Sequence, residues 1–186
     1  MFFMEQKMDQ LYVPPKPIGI RKAAVEEFAP QVAEKLNFKP ADDMFSLVDR
    51  LGGKVLTGST GLEDKESGSM IARSISDFTI YLSPLTSLER DRFTIAHELG
   101  HLLLHLPTLK AENPSVVMRA TRYIDNGDAA QQRAEWEANW FAASLLMPAR
   151  EFKRLYPYGV VHLQNAFNVS LAAVRSRIKS LGLAEI

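Results

Sequence analysis

Apolar positions recur at helical spacing from Ile20 to about Asn37, where Ala24, Val25, Phe28, Val32, Ala33 and Leu36 form one stripe. Pro30 falls inside that stripe and is expected to break or kink the helix. A second stripe, Met44, Leu47, Val48 and Leu51, predicts a short helix from Ala41 to Leu51 that Gly52-Gly53 ends. The pattern then shortens. Lys54 to Leu56, Met70 to Ile75 and Phe78 to Leu82 carry β-branched or aromatic residues between Gly, Ser and Asp, which predicts a small meandering sheet. After Ser83-Pro84 a helix is expected from about Ser87 to His105, followed by a polar loop from Pro107 to Asn126. Asp128 to Met147 contains no Gly or Pro and many alanines, so it reads as a long helix ended by Pro148. Short helices are expected around Arg150 to Tyr156, Val160 to Phe167 and Ser170 to Leu181.

These elements give an α+β class: a small mixed or antiparallel sheet packed on the helix before His105, plus a helical appendage. With 186 residues the chain has room for one sizeable core rather than two. The expected division is an extended arm over residues 1–18, where Pro14, Pro15 and Pro17 disfavour helix, a main domain over 19–148 and a small helical subdomain over 149–186.

Composition narrows the chemistry. The chain has no cysteine, so disulfides, thiolate zinc sites and a cysteine nucleophile are excluded. The N-terminus brings Glu5, Lys7 and Asp9 soon after its apolar start, so no signal-peptide core forms. No stretch approaches the ~18 apolar residues of a membrane span. A reducing cytoplasm is the expected compartment. Net charge is zero, which gives the whole molecule no field toward nucleic acid or an anionic membrane. Residues 148–186 nevertheless hold six Lys/Arg against two Glu.

The chemistry concentrates in His97-Glu98-Leu99-Gly100-His101. Residues four apart on a helix share a face and lie about 6 Å apart along the axis, so both histidines can point at one ion. Glu98 stands about 100° round the helix from His97, where it can accept the proton of a water that the ion activates. The apolar neighbours Phe93, Ile95, Ala96, Leu99 and Leu102 to Leu104 would bury the three polar residues, and a divalent metal offsets the cost of that burial. A catalytic zinc needs a third protein ligand. Glu135 and Glu137 on the alanine-rich helix compete for that role. Glu135 shares its stripe with Asn139, which suits a ligand beside an amide that bonds a ligand histidine and fixes its tautomer, so Glu135 is favoured.

The blocks Phe93 to His105 and Glu135 to Pro148 resemble the ImmA/IrrE family of HExxH zinc metallopeptidases, over roughly Ile20 to Pro148. The Glu-x-x-Ala-Asn arrangement is also similar to that of gluzincins, whose third ligand is the first glutamate. The resemblance implies a zincin-like core and zinc held by His97, His101 and Glu135, with Glu98 as catalytic base and Asn139 in support. Manganese and iron remain open as the ion. It further implies cleavage of a helix-turn-helix transcriptional repressor in a stress response. By analogy with zincins, the strand Phe78 to Leu82 would lie along the cleft and pair with an extended substrate.

Other residues stay at the margin. His105 continues the histidine stripe but lies about 12 Å along the axis from His97, so it is expected to support the site and not to ligate. Tyr81, Arg73 and His162 are candidate transition-state donors. Leu163 to Ile178 can form a helix-turn-helix with Arg175, Arg177 and Lys179 facing phosphates, although helical hairpins that only pack are commoner. The competing function is a DNA-binding or stress-sensing regulator with a vestigial metal site. The retained Glu98 favours the enzyme, because a structural site needs no base.

Overall fold

A computed structural model describes residues 12–58, 68–121 and 127–184. The start of the expected arm (1–11) and the end of the expected loop (122–126) lie outside the described residues. The elements run β1 (Tyr12–Val13), α1 (Lys22–Lys35), α2 (Met44–Arg50), β2 (Lys54–Thr57), β3 (Gly68–Ser74), β4 (Asp77–Leu82) and α3 (Leu88–Gly100). A π-helical turn (His101–His105) continues α3 into α4 (Leu106–Glu112), followed by β5 (Val117–Thr121), α5 (Ala129–Leu146), α6 (Ala149–Leu155), α7 (Val160–Phe167) and α8 (Leu171–Ser180). The α+β class holds.

The strands form one mixed sheet in the order β1-β5-β3-β4-β2. β3 and β4 make an antiparallel hairpin, β5 is antiparallel to β3, and β2 runs parallel to β4. The alternation along β4 buries Phe78, Ile80 and Leu82 in the core, as a half-buried strand requires. The sheet is therefore no simple meander: β2 returns to the far side of β4, and β5, which lies in the stretch expected to be loop, completes the middle. β5 escaped the pattern because its apolar run, Val116 to Met118, is short and flanked by polar residues. Tyr12 and Val13 pair with Val117 and Met118, so this part of the arm joins the sheet as an edge strand.

Local signals explain most helix ends. Asp43 caps α2 by accepting from the Phe45 and Ser46 amides, so the helix starts later than Ala41. It ends in a Schellman turn: the Gly52 amide bonds the Asp49 carbonyl and the Gly53 amide bonds that of Val48. Gly52 has φ +84°, and a Cβ there would lie 2.6 Å from the Ser76 carbonyl oxygen, so both geometry and space demand glycine. Pro30 does not break α1. The helix forfeits one hydrogen bond there, and the burial of Val25, Ala29 and Ala33 against the core offsets the loss.

The C-terminal helices share the same hydrophobic cluster as the sheet and α1: Phe152, Leu163, Phe167, Val174 and Ile178 pack into it. Arg177 on α8 is buried, with Nη1 and Nη2 donating to the two Glu26 oxygens at 2.5 and 2.7 Å and Nε donating to the Met147 carbonyl. It therefore cannot face phosphates as the sequence pattern suggested. Among the described residues no helix is long and apolar enough to cross a membrane.

Glu26→Ala removes both acceptors from a buried guanidinium, and breaking a buried pair costs about 3–5 kcal/mol. Chemical denaturation of this variant is expected to show a loss of that order. A cost below about 1 kcal/mol, the range of surface pairs, would show that the bond does not anchor α8.

Candidate metal centre

The site is built where α3 and α5 approach most closely. Gly100 faces α5, and a Cβ there would lie 3.0 Å from the Ala138 Cα and 3.1 Å from its carbonyl oxygen. Ala134, Ala138 and Ala142 recur every fourth residue on α5, all buried, so this helix presents a low ridge. Small residues on both sides let the axes come together, and that brings Glu135 to the histidines of α3.

His97 Nε2 and His101 Nε2 lie 3.0 Å apart, and each is 3.1 Å from a Glu135 oxygen. One ligand atom from each of the three residues lies within 4.8 Å of the others, the arrangement of a metal-binding triad. The outward ring nitrogens tell which protons are present. His97 Nδ1 is 3.0 Å from Asn139 Oδ1, an oxygen that only accepts, so Nδ1 carries the hydrogen and Nε2 the lone pair. A carboxylate oxygen and an imidazole lone pair converging at this distance repel unless a cation or a shared proton lies between them. The donor set fits a divalent ion: two imidazoles and one carboxylate match a His2Glu zinc site with a fourth position open.

Electrostatics point the same way. Burial pushes the His101 pKa down to about 4, with the neighbouring His97 and His105 adding to the effect and Glu135 opposing it. Burial also holds His105 below its ordinary value. For His97 burial acts downward too, yet the Glu135 bond and the charges of Glu98 and Glu135 prevail and raise it. Glu135 is held well below the carboxylate range: burial works against ionisation, and the two histidine bonds overcome it.

A cavity of about 430 Å³ opens beside the triad. His97, Glu98, Glu135, Arg90, Thr94 and Ser69 are among its lining residues. Glu98 is buried, lies on this cavity wall and is not one of the three triad residues. Arg73, Tyr81 and His162 do not line it. Arg73 instead pairs with Asp77, and the His162 ring lies tilted against that of Tyr158. β4 cannot take an extended substrate along its length, contrary to expectation, because β3 and β2 already occupy its two edges. Gly100 was missed by sequence reasoning; its place between the two motif histidines was visible, but the helix it had to approach was not.

A family model for the IrrE N-terminal-like domain of the M78 peptidases matches residues 49–179. The chain belongs to this family. The match contains all five candidate site residues, starts later than Ile20 and runs past Pro148 into α8, as the shared core of the C-terminal helices would require. A solved structure described as a Mycobacterium tuberculosis transcriptional regulator is similar in fold, with TM-score 0.56 and 18% identity, over 84% of this chain and 46% of that one. This chain thus spans about half of that regulator's length. No curated protein sequence matches the chain.

Gly100→Ala should force α3 and α5 apart, costing about 1–3 kcal/mol as overpacking does. Unfolding midpoints and zinc titration are both expected to fall, and unchanged zinc affinity would show that the close approach does not set the triad. For pH, a depressed histidine pKa gives stability that is complete above the ordinary value of 6.5 and is lost as pH falls toward about 4. His105 acts in the same sense and His97 in the opposite one. Urea unfolding of metal-free protein is expected to show a net loss as pH falls across that window; a gain would contradict a neutral buried His101.

Proposed function

We propose that this chain is a zinc-dependent endopeptidase that hydrolyses a peptide bond of a transcriptional repressor, with Glu98 as general base. The observation that carries the reading is the pairing of a three-donor site with a carboxylate left outside it on the wall of an open cavity. A divalent ion held by His97, His101 and Glu135 supplies Lewis acidity, which activates water near neutral pH and polarises a carbonyl. Zinc suits the donors best, and manganese and iron accept the same set.

The rest is the work of the chain's own side chains. Glu98 takes a proton from water on its carboxylate oxygen and returns it to the departing amine nitrogen, so one group serves as base and then acid. Asn139 keeps His97 in the required tautomer. Arg90, exposed on the cavity wall, is available to bond the substrate's backbone oxygens. His101 is buried, and His97 and Glu135 are partly exposed and line the cavity.

The substrate class, a helix-turn-helix repressor cut in a stress response, rests on the family resemblance, and it sets the activity in the cytoplasm. The description of the mycobacterial relative favours a second reading, in which the metal domain is the sensing part of a transcriptional regulator. Arg175 and Lys179 are the exposed basic residues of α8 that such a regulator could turn to DNA.

Glu98→Gln separates the two. The variant should keep its zinc and lose cleavage of the repressor substrate by roughly 100- to 10,000-fold, the range for loss of a general base. Undiminished cleavage would remove Glu98 from the mechanism, and a regulatory response that survives in this variant would favour the sensor. Glu135→Ala should lose zinc altogether, as measured by metal analysis after dialysis.

A further inference from the structure

Behind the triad lie two buried residues that the proposed hydrolysis does not use. His105 and Glu137 have no exposed surface. His105 Nδ1 is 3.0 Å from His101 Nδ1, and His105 Nε2 is 3.1 Å from Glu137 Oε2. The other bonds of Glu137 fix the direction of the whole chain. Its Oε2 also accepts from the Ile18 amide at 3.0 Å, and its Oε1 accepts from Arg133 Nε at 3.0 Å. A backbone N–H and a guanidinium N–H can only donate, so Glu137 is held as an acceptor at both oxygens.

The tautomers then follow in order. Glu137 accepts from His105, so His105 Nε2 carries the hydrogen. In the neutral ring His105 Nδ1 is then a lone pair and accepts from His101. His101 Nδ1 carries a hydrogen in turn, which leaves the Nε2 lone pair facing Glu135 and His97. We propose that His105 and Glu137 are positioning residues for the metal centre, a one-way hydrogen-bond chain that holds His101 in its metal-binding tautomer. The π-helical turn belongs to this device. In it the Leu106 amide bonds the His101 carbonyl five residues back, and the widened turn carries His105 behind His101 with ring centroids 5.1 Å apart.

The inference rests on His101 being a metal ligand but not on peptide hydrolysis. Its test is the histidine tautomer in the full-length protein, read by long-range 15N–1H correlation with and without zinc, together with zinc affinity by chelator competition. In unaltered protein His101 is expected to be protonated at Nδ1 and His105 at Nε2 even without zinc. The opposite tautomer on either ring would overturn the proposal. His105→Phe fills the space without bonding and should weaken zinc binding about 10- to 100-fold, the usual effect of losing a partner behind a ligand. It should also release His101 from its single tautomer. His105→Gln offers an oxygen to His101 and an amide N–H to Glu137, so it should restore most of the affinity. Equal losses in the two variants, or no loss in His105→Phe, would reduce His105 to packing and end the proposal. If His105→Phe does not fold, the tautomers of the unaltered protein still decide. Failure to bind zinc in the unaltered protein would instead count against the metal centre itself.

Discussion

The structure depends on how closely α3 can lie against α5. Helix axes ordinarily pack 8–10 Å apart, at a distance set by the side chains between them. Here glycine meets alanine at the crossing, with Gly100 against Ala138 and Phe141, and Ala134 and Ala142 are buried on the same stripe of α5. A ligand glutamate is short. It reaches two histidines on a neighbouring helix only if the backbones are close, so the small residues are a condition of the triad as well as of the core. The same crossing explains why the site is buried on one side and open on the other: α5 covers the histidines, and the ends of β3, β4 and β5 leave the cavity.

That arrangement sets an electrostatic demand. A carboxylate and two imidazole nitrogens converge in one largely buried corner, where a divalent cation would satisfy all three. Each of the two histidines has a partner on its outer side. Asn139 holds His97, the His105–Glu137 pair holds His101, and Arg133 and the Ile18 amide hold Glu137. Through Glu137 and Arg133, the segment that enters α1 is bonded to the helix carrying the third donor, since Arg133 also donates to the Ile20 carbonyl. Residues far apart in sequence are thus ordered around the site by hydrogen bonds whose directions are fixed by donors that cannot reverse.

What was legible in the sequence was what depends on local spacing. His97 and His101 share a face because a helix repeats every 3.6 residues, and the Glu135–Asn139 pair follows from the same geometry on the second helix. What was hidden depends on pairing across the chain. Whether β4 is an edge or a central strand is decided by β2, which returns beside it in parallel after a helix and a glycine turn; alternation along β4 looks the same in either case. β5 was hidden because its three apolar residues gain meaning only from β3 and β1 on its two sides. The π turn has no composition of its own, and the helix runs through Pro107 where a loop was expected to begin.

The C-terminal helices show how a surface pattern can mislead for a physical reason. Arg175, Arg177 and Lys179 look alike in sequence, all basic and all on one short helix. Among the described residues Arg177 is nonetheless the largest fully buried side chain. It can be buried because a planar guanidinium bonds two carboxylate oxygens at once and has a further donor for the Met147 carbonyl, so its charge is paired and three of its five N–H groups are bonded. A lysine has no such fork. The bond also ties α8 to α1, and α1 packs on the helix that carries Glu135, so the tail is joined to the candidate metal centre through shared core. Of the three basic residues of α8, only Arg175 and Lys179 are left in solvent, so a basic contact made by this helix would have to come from them.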